Sequence, residues 1–162
     1  MKLLYFRFTK TSIMELKNLF DPDVKQGLLV RIDNLNPQSQ PNWGKMNVAQ
    51  MLAHLQMPMG VAIGSHKLKR TLFGRIVGPL AKKVLYSEKP FKRNLPTDPS
   101  FIMVKHEKEF EKEKQALISM IQSFNEENMI DEPHPFFGKL TKEQWSKGTY
   151  KHIDHHLQQF GV

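Results

Sequence analysis

Residues 151–159 read Lys-His-Ile-Asp-His-His-Leu-Gln-Gln and hold three of the seven histidines of this 162-residue chain. His152 and His156 are four residues apart, so on a helix both imidazoles lie on one face and can reach one metal ion. The stretch follows Thr141-x-x-Gln144, a capping-box pattern that predicts the start of a helix. We therefore expect the rest of the chain to bury this final helix and to complete a site around its histidines.

The angular positions of the side chains separate the three histidines of this final helix. At about 100° per residue, its apolar side chains occupy one arc, with His156 inside the arc and His152 at its edge. His155 falls outside the arc and is expected to face solvent or a neighbouring helix. Gln159 lies one turn beyond His155 and is a candidate for a hydrogen bond that orients a metal ligand.

Two protein ligands rarely suffice for a metal ion, so a third is expected on another element. His54 is the best candidate, because it follows the capping-box pattern Asn47-x-x-Gln50 and lies at the edge of an apolar helix face. His134, in a loop, and His106 are weaker candidates. A buried, hydrogen-bonded histidine is the ordinary alternative for each, and the residues alone leave both interpretations open. Three imidazoles would suit Zn²⁺ or Ni²⁺ and leave an open position for a water or a thiol.

Capping and proline signals divide the chain into helices, and no segment shows a convincing strand pattern. They predict a short helix over residues 12–20, a helix over 22–35, and the longest helix over 98–127. We expect an all-α fold, a four-helix bundle with extra short helices in a long crossover connection between the second and third main helices.

The amino-acid composition limits the classes of protein to which this chain can belong. Apolar residues make up 40% and charged residues 25%, which is ordinary for one globular domain. The chain has no cysteine, which excludes disulfides, thiolate ligands and a cysteine nucleophile. Residues 1–8 are apolar but short and interrupted by Arg7, so they make a poor signal peptide, and we expect a cytoplasmic protein.

The net charge of +8 comes from one segment, residues 66–93. This segment holds nine Lys or Arg and one acidic residue, so the rest of the chain is balanced. Such an excess can indicate nucleic acid or an anionic membrane, but we favour a solvated face and do not expect either partner. A small-molecule substrate is expected instead, and a homodimer stays open. A non-catalytic binding module that uses the basic segment is retained as an alternative.

Four blocks of sequence, in this order, resemble the DinB/YfiT-like metalloenzyme superfamily and one of its branches, which ends in HPFFG…HxxHHxxQFG. The blocks are Trp43-Gly44-Lys45-Met46-Asn47-x-x-Gln50-Met51-Leu52-x-His54-Leu55, Pro96-Thr97-Asp98-Pro99-Ser100-Phe101, His134-Pro135-Phe136-Phe137-Gly138-Lys139-Leu140-Thr141-x-Glu143-x-Trp145, and His152-x-x-x-His156-x-x-Gln159. The resemblance implies a four-helix-bundle domain over residues 13–162, preceded by an N-terminal extension over residues 1–12.

The same resemblance implies a divalent metal ion on three histidines, which map to His54, His152 and His156. Some members of the superfamily are thiol-dependent S-transferases or isomerases, so the resemblance implies a low-molecular-weight thiol cosubstrate. A metal-dependent hydrolase is the alternative reaction. Residues expected to line the pocket or support the ligands are His134, Trp145, His155 and Gln159.

Overall fold

A computed structural model describes residues 14–69 and 72–162. Within these two ranges the chain forms five α-helices, one 3-10 helix and no β-strand. In chain order these are α1 (Pro22–Asp33), α2 (Val48–Ala62), α3 (Leu72–Leu85), the 3-10 helix Pro99–Phe101, α4 (Phe110–Ser123) and α5 (Lys142–Gln159). The predicted all-helical class is confirmed, and the four-helix bundle remains a prediction. The predicted extension over residues 1–12 lies outside the described residues.

Three helices begin where the capping patterns predict. Asp21 precedes Pro22, and its side chain accepts from the backbone N–H of Asp23 at the start of α1. Asn47 and Gln50 form a complete capping box at the start of α2, and Thr141 and Gln144 form another at α5. These local bonds satisfy backbone donors that a helix leaves unpaired, so they fix the two helices that carry the candidate ligands.

The prediction of one long helix over residues 98–127 is wrong. Asp98 caps only the 3-10 helix, and α4 begins at Phe110. In between, Phe101 and Met103 are buried while Ile102 is exposed, and the chain turns at residues 104 and 105. The amide of Gln50 donates to the carbonyls of residues 104 and 106 and holds the segment against α2. Such tertiary bonds can override a helical spacing of apolar residues.

The prediction of a short helix over residues 12–20 is also wrong in its described part. Residues 14–18 are not helical, and residues 19 and 20 form a turn. The backbone N–H of Met14 donates to the carbonyl of Glu88 at 2.8 Å, while Leu19 is fully buried in the core. This segment is therefore held by distant parts of the chain and not by its own capping pattern.

The helices pack so that α2 and α5 meet in the interior. α2 contacts both α4 and α5, α1 contacts the same two helices, and α3 contacts α5. Apolar side chains from α1, α2, α4 and α5 fill one core, and its fully buried members include Leu28, Ile32, Met51, Leu52, Leu55, Met59, Leu117, Ile121, Ile153 and Leu157. The predicted site histidines lie along the line where α2 faces α5.

The long connection between α2 and α4 contains α3 and the 3-10 helix. At 14 residues α3 is as long as α4, so it is not one of the short helices predicted for this connection, and the crossover stays a prediction. α2 itself continues through Pro58, which has no N–H to bond the carbonyl of His54. Across the described residues, no helix has the length and apolar character needed to cross a bilayer.

Candidate metal centre

Three imidazoles from two helices converge in the interior of the protein. His54 comes from α2, while His152 and His156 come from α5, one turn apart. One ring nitrogen from each lies within 4.8 Å of the others. The Nε2 atoms of His54 and His152 are 3.1 Å apart. Two imidazole nitrogens on a tetrahedral Zn²⁺ are about 3.3 Å apart, given Zn–N bonds of about 2.0–2.1 Å, so this spacing fits a shared ion.

Hydrogen bonds fix which nitrogen of two of these rings faces the cluster. Nδ1 of His54 lies 2.9 Å from the carbonyl oxygen of Phe101, and Nδ1 of His156 lies 2.7 Å from Oε1 of Gln159. A carbonyl oxygen, of the backbone or of an amide side chain, can only accept a hydrogen bond. Each Nδ1 therefore carries the proton and donates it. Each Nε2 therefore keeps its lone pair, which is the arrangement in metal-binding histidines whose other nitrogen is bonded to protein.

The orientation of Gln159 is itself fixed. Its Nε2 donates to the backbone carbonyl of Trp43, so Oε1 is the atom left to accept from His156. Gln159 is almost fully buried, and its backbone carbonyl accepts from the N–H of Asn42 at 2.7 Å. The loop before α2 thereby supports a ligand on α5. The sequence predicts Gln159 as a supporting residue, and the structure shows that His156 is the ring it bonds.

Burial and mutual repulsion keep the three rings uncharged. Burial, reinforced by the neighbouring imidazole of His54, lowers the pKa of His156 to about 3. Burial lowers the pKa of His152 well below its usual value, and His156 and His54 lower it further. The pKa of His54 is also lowered by burial, against an opposing effect of its bond to the Phe101 carbonyl. Neutral imidazole is the form that binds a metal ion.

The donor set suits a first-row divalent ion. Among the described residues, the cluster is made of histidines alone, without a carboxylate. Imidazole nitrogen prefers Zn²⁺, Ni²⁺ or Cu²⁺ over the oxygen-seeking Mg²⁺ and Ca²⁺. Three protein ligands leave a tetrahedral ion one open position, which is the pattern of catalytic sites and not of closed structural ones. The residues present therefore fit an ion of this class.

His155 lies beside the cluster but is not part of it. Its ring packs 5.7 Å from the ring of Trp43 and 5.8 Å from that of Phe91, measured between centroids. The guanidinium carbon of Arg93 lies 4.3 Å from the centroid of the Trp43 ring. His155 therefore packs against two aromatic rings, and a cation lies over one of them. Burial lowers the pKa of His155 as well, although Asp154 opposes that shift.

The structure places the other predicted histidines outside the cluster. Nδ1 of His134 accepts from the backbone N–H groups of Phe136 and Phe137, and its ring packs 4.7 Å from that of Trp145. These contacts pack the loop of His134 against Trp145, near the start of α5. His106 is exposed, in the segment before α4. Neither of the weaker third-ligand candidates joins His152 and His156.

Several residues that shape the site were not predicted as site residues. Phe101 supplies the carbonyl that orients His54, and Trp43 supplies the one that orients Gln159. Both lie in sequence blocks that carry the family resemblance, which was the only signal for them. Lys151 is fully buried, and its ammonium donates to the carbonyls of Val84 and Ser87, where α3 ends. Nothing in its local sequence distinguishes Lys151 from a surface lysine.

A comparison with curated proteins and a comparison with solved structures each found no match. The resemblance to the DinB/YfiT-like superfamily therefore stays a prediction. A scan against family models found one that matches residues 18–161, which include all three clustered histidines. The chain thus belongs to the family described as "Protein of unknown function (DUF1569)".

Proposed function

We propose that this protein is a divalent-metal-dependent enzyme that acts on a small molecule, with His54, His152 and His156 as its metal ligands. One observation carries the proposal: three neutral imidazoles converge, and two of them are oriented by hydrogen bonds through Nδ1 so that Nε2 faces the cluster. A purely structural histidine would gain most from bonding both nitrogens to protein oxygens. The Nε2 lone pairs of His54 and His156 are therefore available to a cation in the cluster, and Nε2 of His152 lies 3.1 Å from that of His54, close enough to join them on one ion.

A four-helix bundle of α1, α2, α4 and α5 is part of this proposal. Bundles build metal sites from side chains on facing helices, and here α2 and α5 supply all three ligands. Packing of α1 and α4 against these helices supports the relative position of the ligands. Zn²⁺ and Ni²⁺ are the ions that we favour, because both accept imidazole and leave room for an exogenous ligand.

The reaction that we favour is transfer of a low-molecular-weight thiol to an electrophile, on the basis of the family resemblance. When bound, such an ion supplies Lewis acidity that lowers the pKa of a thiol or water in its open position. The chain has no cysteine, so the sulfur must come from a cosubstrate. In this reaction the thiol releases its proton to solvent, its sulfur bonds to the electrophilic carbon, and the leaving group departs with its electron pair.

The protein's own part is to bind and orient the reactants. Trp43, Phe91 and His155 form an aromatic wall beside the cluster, and Arg93 adds a fixed positive charge to it. We propose that this wall packs against the substrate and that Arg93 attracts an anionic cosubstrate. Hydrolysis by an activated water is the alternative, since the same three ligands support it equally well.

Metal content tests the centre before any reaction is assigned. Protein purified without a His-tag is expected to carry close to one divalent ion per chain, measured by elemental analysis after gel filtration. His152→Ala should lose the ion, while His155→Ala, changed on the same helix but outside the cluster, should keep it. A wild type with no more metal than His152→Ala would overturn the proposal.

Turnover assays then separate transfer from hydrolysis. Metal-loaded protein is incubated with small thiols and an electrophilic halide or epoxide, and in parallel with ester and amide substrates and no thiol. Loss of free thiol that requires His54, His152 and His156 supports transfer. Metal-dependent cleavage without any thiol would replace transfer by hydrolysis.

A further inference from the structure

Helix α3 exposes four of its apolar side chains to solvent. Leu72, Ile76 and Leu80 keep 77%, 74% and 78% of their surface exposed, and Val84 keeps 49%. These four residues are spaced four apart, so they form one row along the helix about 18 Å long. We call this row the α3 stripe. Single exposed apolar residues are ordinary on proteins, but a continuous row indicates an interaction site.

The opposite side of α3 attaches it to the rest of the protein. Gly74 and Gly78 are buried on that side. A Cβ on Gly78 would lie only 1.7 Å from the carbonyl oxygen of Phe136, so the helix approaches that backbone as closely as glycine allows. Further along, Leu85 packs on Gly148 of α5. The helix is thus held by its small residues, and the α3 stripe faces away from the core.

The segment that carries the α3 stripe is strongly cationic. Its segment, residues 66–93, carries nine Lys or Arg against Glu88 alone. Lys83 is exposed and adjoins Val84 at the end of the stripe, and exposed lysines at 67, 69, 89 and 92 lie on the flanking chain. Lys82 differs, because its ammonium bonds to the carbonyl of Lys139 and is directed toward the protein. The segment therefore combines an exposed apolar row on the helix with exposed lysines in the chain that flanks it.

We propose that the α3 stripe binds the surface of a membrane that contains anionic lipids. An amphipathic helix lies in the interface with its apolar side chains among the acyl chains and its lysines near the headgroups. Lysine side chains at the edge of the stripe can extend toward the phosphates while their methylenes stay in apolar surroundings. Anionic lipid headgroups in the membrane surface attract the positive charges of this segment. Binding of this kind requires no helix that spans the bilayer.

The charge distribution argues against other occupants. A second copy of the chain would bring two segments of net charge +8 face to face, and like charges across an interface disfavour association. Nucleic acid would pair with the lysines, but its phosphates offer nothing to three isoleucine and leucine side chains that are about three-quarters exposed. An anionic bilayer is the surface that accommodates both the apolar row and its cationic surroundings.

The absence of cysteine allows a direct test on the full-length chain. Ile76→Cys, on the stripe, and Val30→Cys, an exposed apolar position on α1, are each labelled with a polarity-sensitive fluorophore. Vesicles of phosphatidylcholine with about one quarter phosphatidylglycerol should shift the emission of the label at 76 to the blue and leave that at 30 unchanged. Pure phosphatidylcholine vesicles should shift it much less.

Co-sedimentation with the same vesicles supplies the second measurement. Changing Leu72, Ile76 and Leu80 together to Ser should weaken binding by at least about tenfold, with helicity checked by circular dichroism, whereas Val30→Ser should leave it unchanged. No sedimentation of the wild type, or sedimentation unaffected by the triple change, would overturn the proposal. Equal emission shifts of the labels at 76 and 30 would also overturn it. An emission shift at 76 in concentrated protein without vesicles would overturn it as well, because it would assign the stripe to a second copy of the chain.

Discussion

The side-chain oxygen of Gln159 accepts a hydrogen bond from Nδ1 of His156 at 2.7 Å, while the amide nitrogen of the same residue donates to the carbonyl of Trp43. One buried amide thus connects the loop before α2 to a candidate ligand on α5. The amide cannot be turned round without placing two donors, or two acceptors, against each other. It therefore selects the tautomer of His156 that presents Nε2 to the cluster.

Replacing Gln159 should weaken metal binding without removing a ligand. Gln159→Leu is expected to lower the affinity for Zn²⁺ or Ni²⁺ by about 10–100-fold, because bonds that orient a metal-binding histidine contribute about this much. Competition with a chromogenic chelator measures the affinity. Gln158→Leu is the matched control, since Gln158 bonds Asp154 and does not contact His156. Equal affinities for the wild type and Gln159→Leu would contradict the supporting role.

Metal binding should raise the melting temperature through the three histidines. Free Zn²⁺ at about 100 times its dissociation constant adds about 2.7 kcal/mol to the free energy of unfolding, or about 5–10 °C for a domain of this size. Mg²⁺ at the same concentration should have little effect, because it prefers oxygen ligands. His54→Ala should abolish the Zn²⁺ shift. A shift that persists in His54→Ala would show that the ion binds elsewhere.

Acid should destabilise the protein in part through His134. Burial lowers the pKa of His134 to about 4 in the folded protein, against about 6.5 in an unfolded chain. Between these values the unfolded state binds the proton more tightly, so stability is full above about pH 6.5 and is lost as the pH falls toward about 4. The neutral ring also accepts from two backbone N–H groups through Nδ1, which protonation would prevent.

His134→Asn isolates this contribution, because the asparagine oxygen can accept in place of Nδ1 but does not titrate. Urea unfolding at about pH 7 and about pH 4.5 should show the wild type losing about 2 kcal/mol more than His134→Asn, allowing for its partial exposure. The remaining histidines titrate in both proteins, so their effects cancel in the difference. An equal loss in both would mean that His134 does not titrate in this range.

The ion pair between Arg31 and Asp154 should stabilise the attachment of α1 to α5. Arg31 donates to the Asp154 carboxylate at 2.7 Å and to the carbonyl of Val162 at 2.9 Å. Arg31→Met leaves the mostly buried Asp154 carboxylate with its bond from Gln158 but without its cationic partner, and should cost about 2–3 kcal/mol, less than for a fully buried pair because Arg31 is partly solvated. Urea unfolding at neutral pH measures this loss.

A surface pair provides the control for that measurement. Lys147 and Glu143 lie one turn apart on α5, and the Nζ atom of Lys147 is 2.6 Å from Oε1 of Glu143. Both side chains are substantially exposed. Lys147→Met should change the free energy of unfolding by no more than about 0.5 kcal/mol, because solvent screens exposed pairs on a helix. Equal losses for Arg31→Met and Lys147→Met would show that burial does not strengthen the Arg31 pair.

Local patterns in the sequence determined the starts of three helices and the direction of the histidines on α5. Asp21, Asn47 and Thr141 cap α1, α2 and α5 as predicted, because a cap uses only neighbouring backbone groups. The periodicity of α5 separated His152 and His156 from His155 for the same reason: helix geometry is local. From the residues alone, His54 was one of three candidates for the third metal ligand. The family resemblance is what selected His54 as the residue that joins His152 and His156.

Only the tertiary structure decided what surrounds those histidines and where the apolar face of α3 lies. Phe101 orients His54 from a segment predicted to be one long helix, which Gln50 holds against α2 through the carbonyls of residues 104 and 106. Lys151 is buried because the carbonyls at the end of α3 receive its ammonium. The α3 stripe is exposed because Gly74 and Gly78, on the opposite side of the helix, are the buried residues in the described part of α3. Each outcome depends on contacts between residues far apart in the chain, which helical period and capping chemistry do not encode.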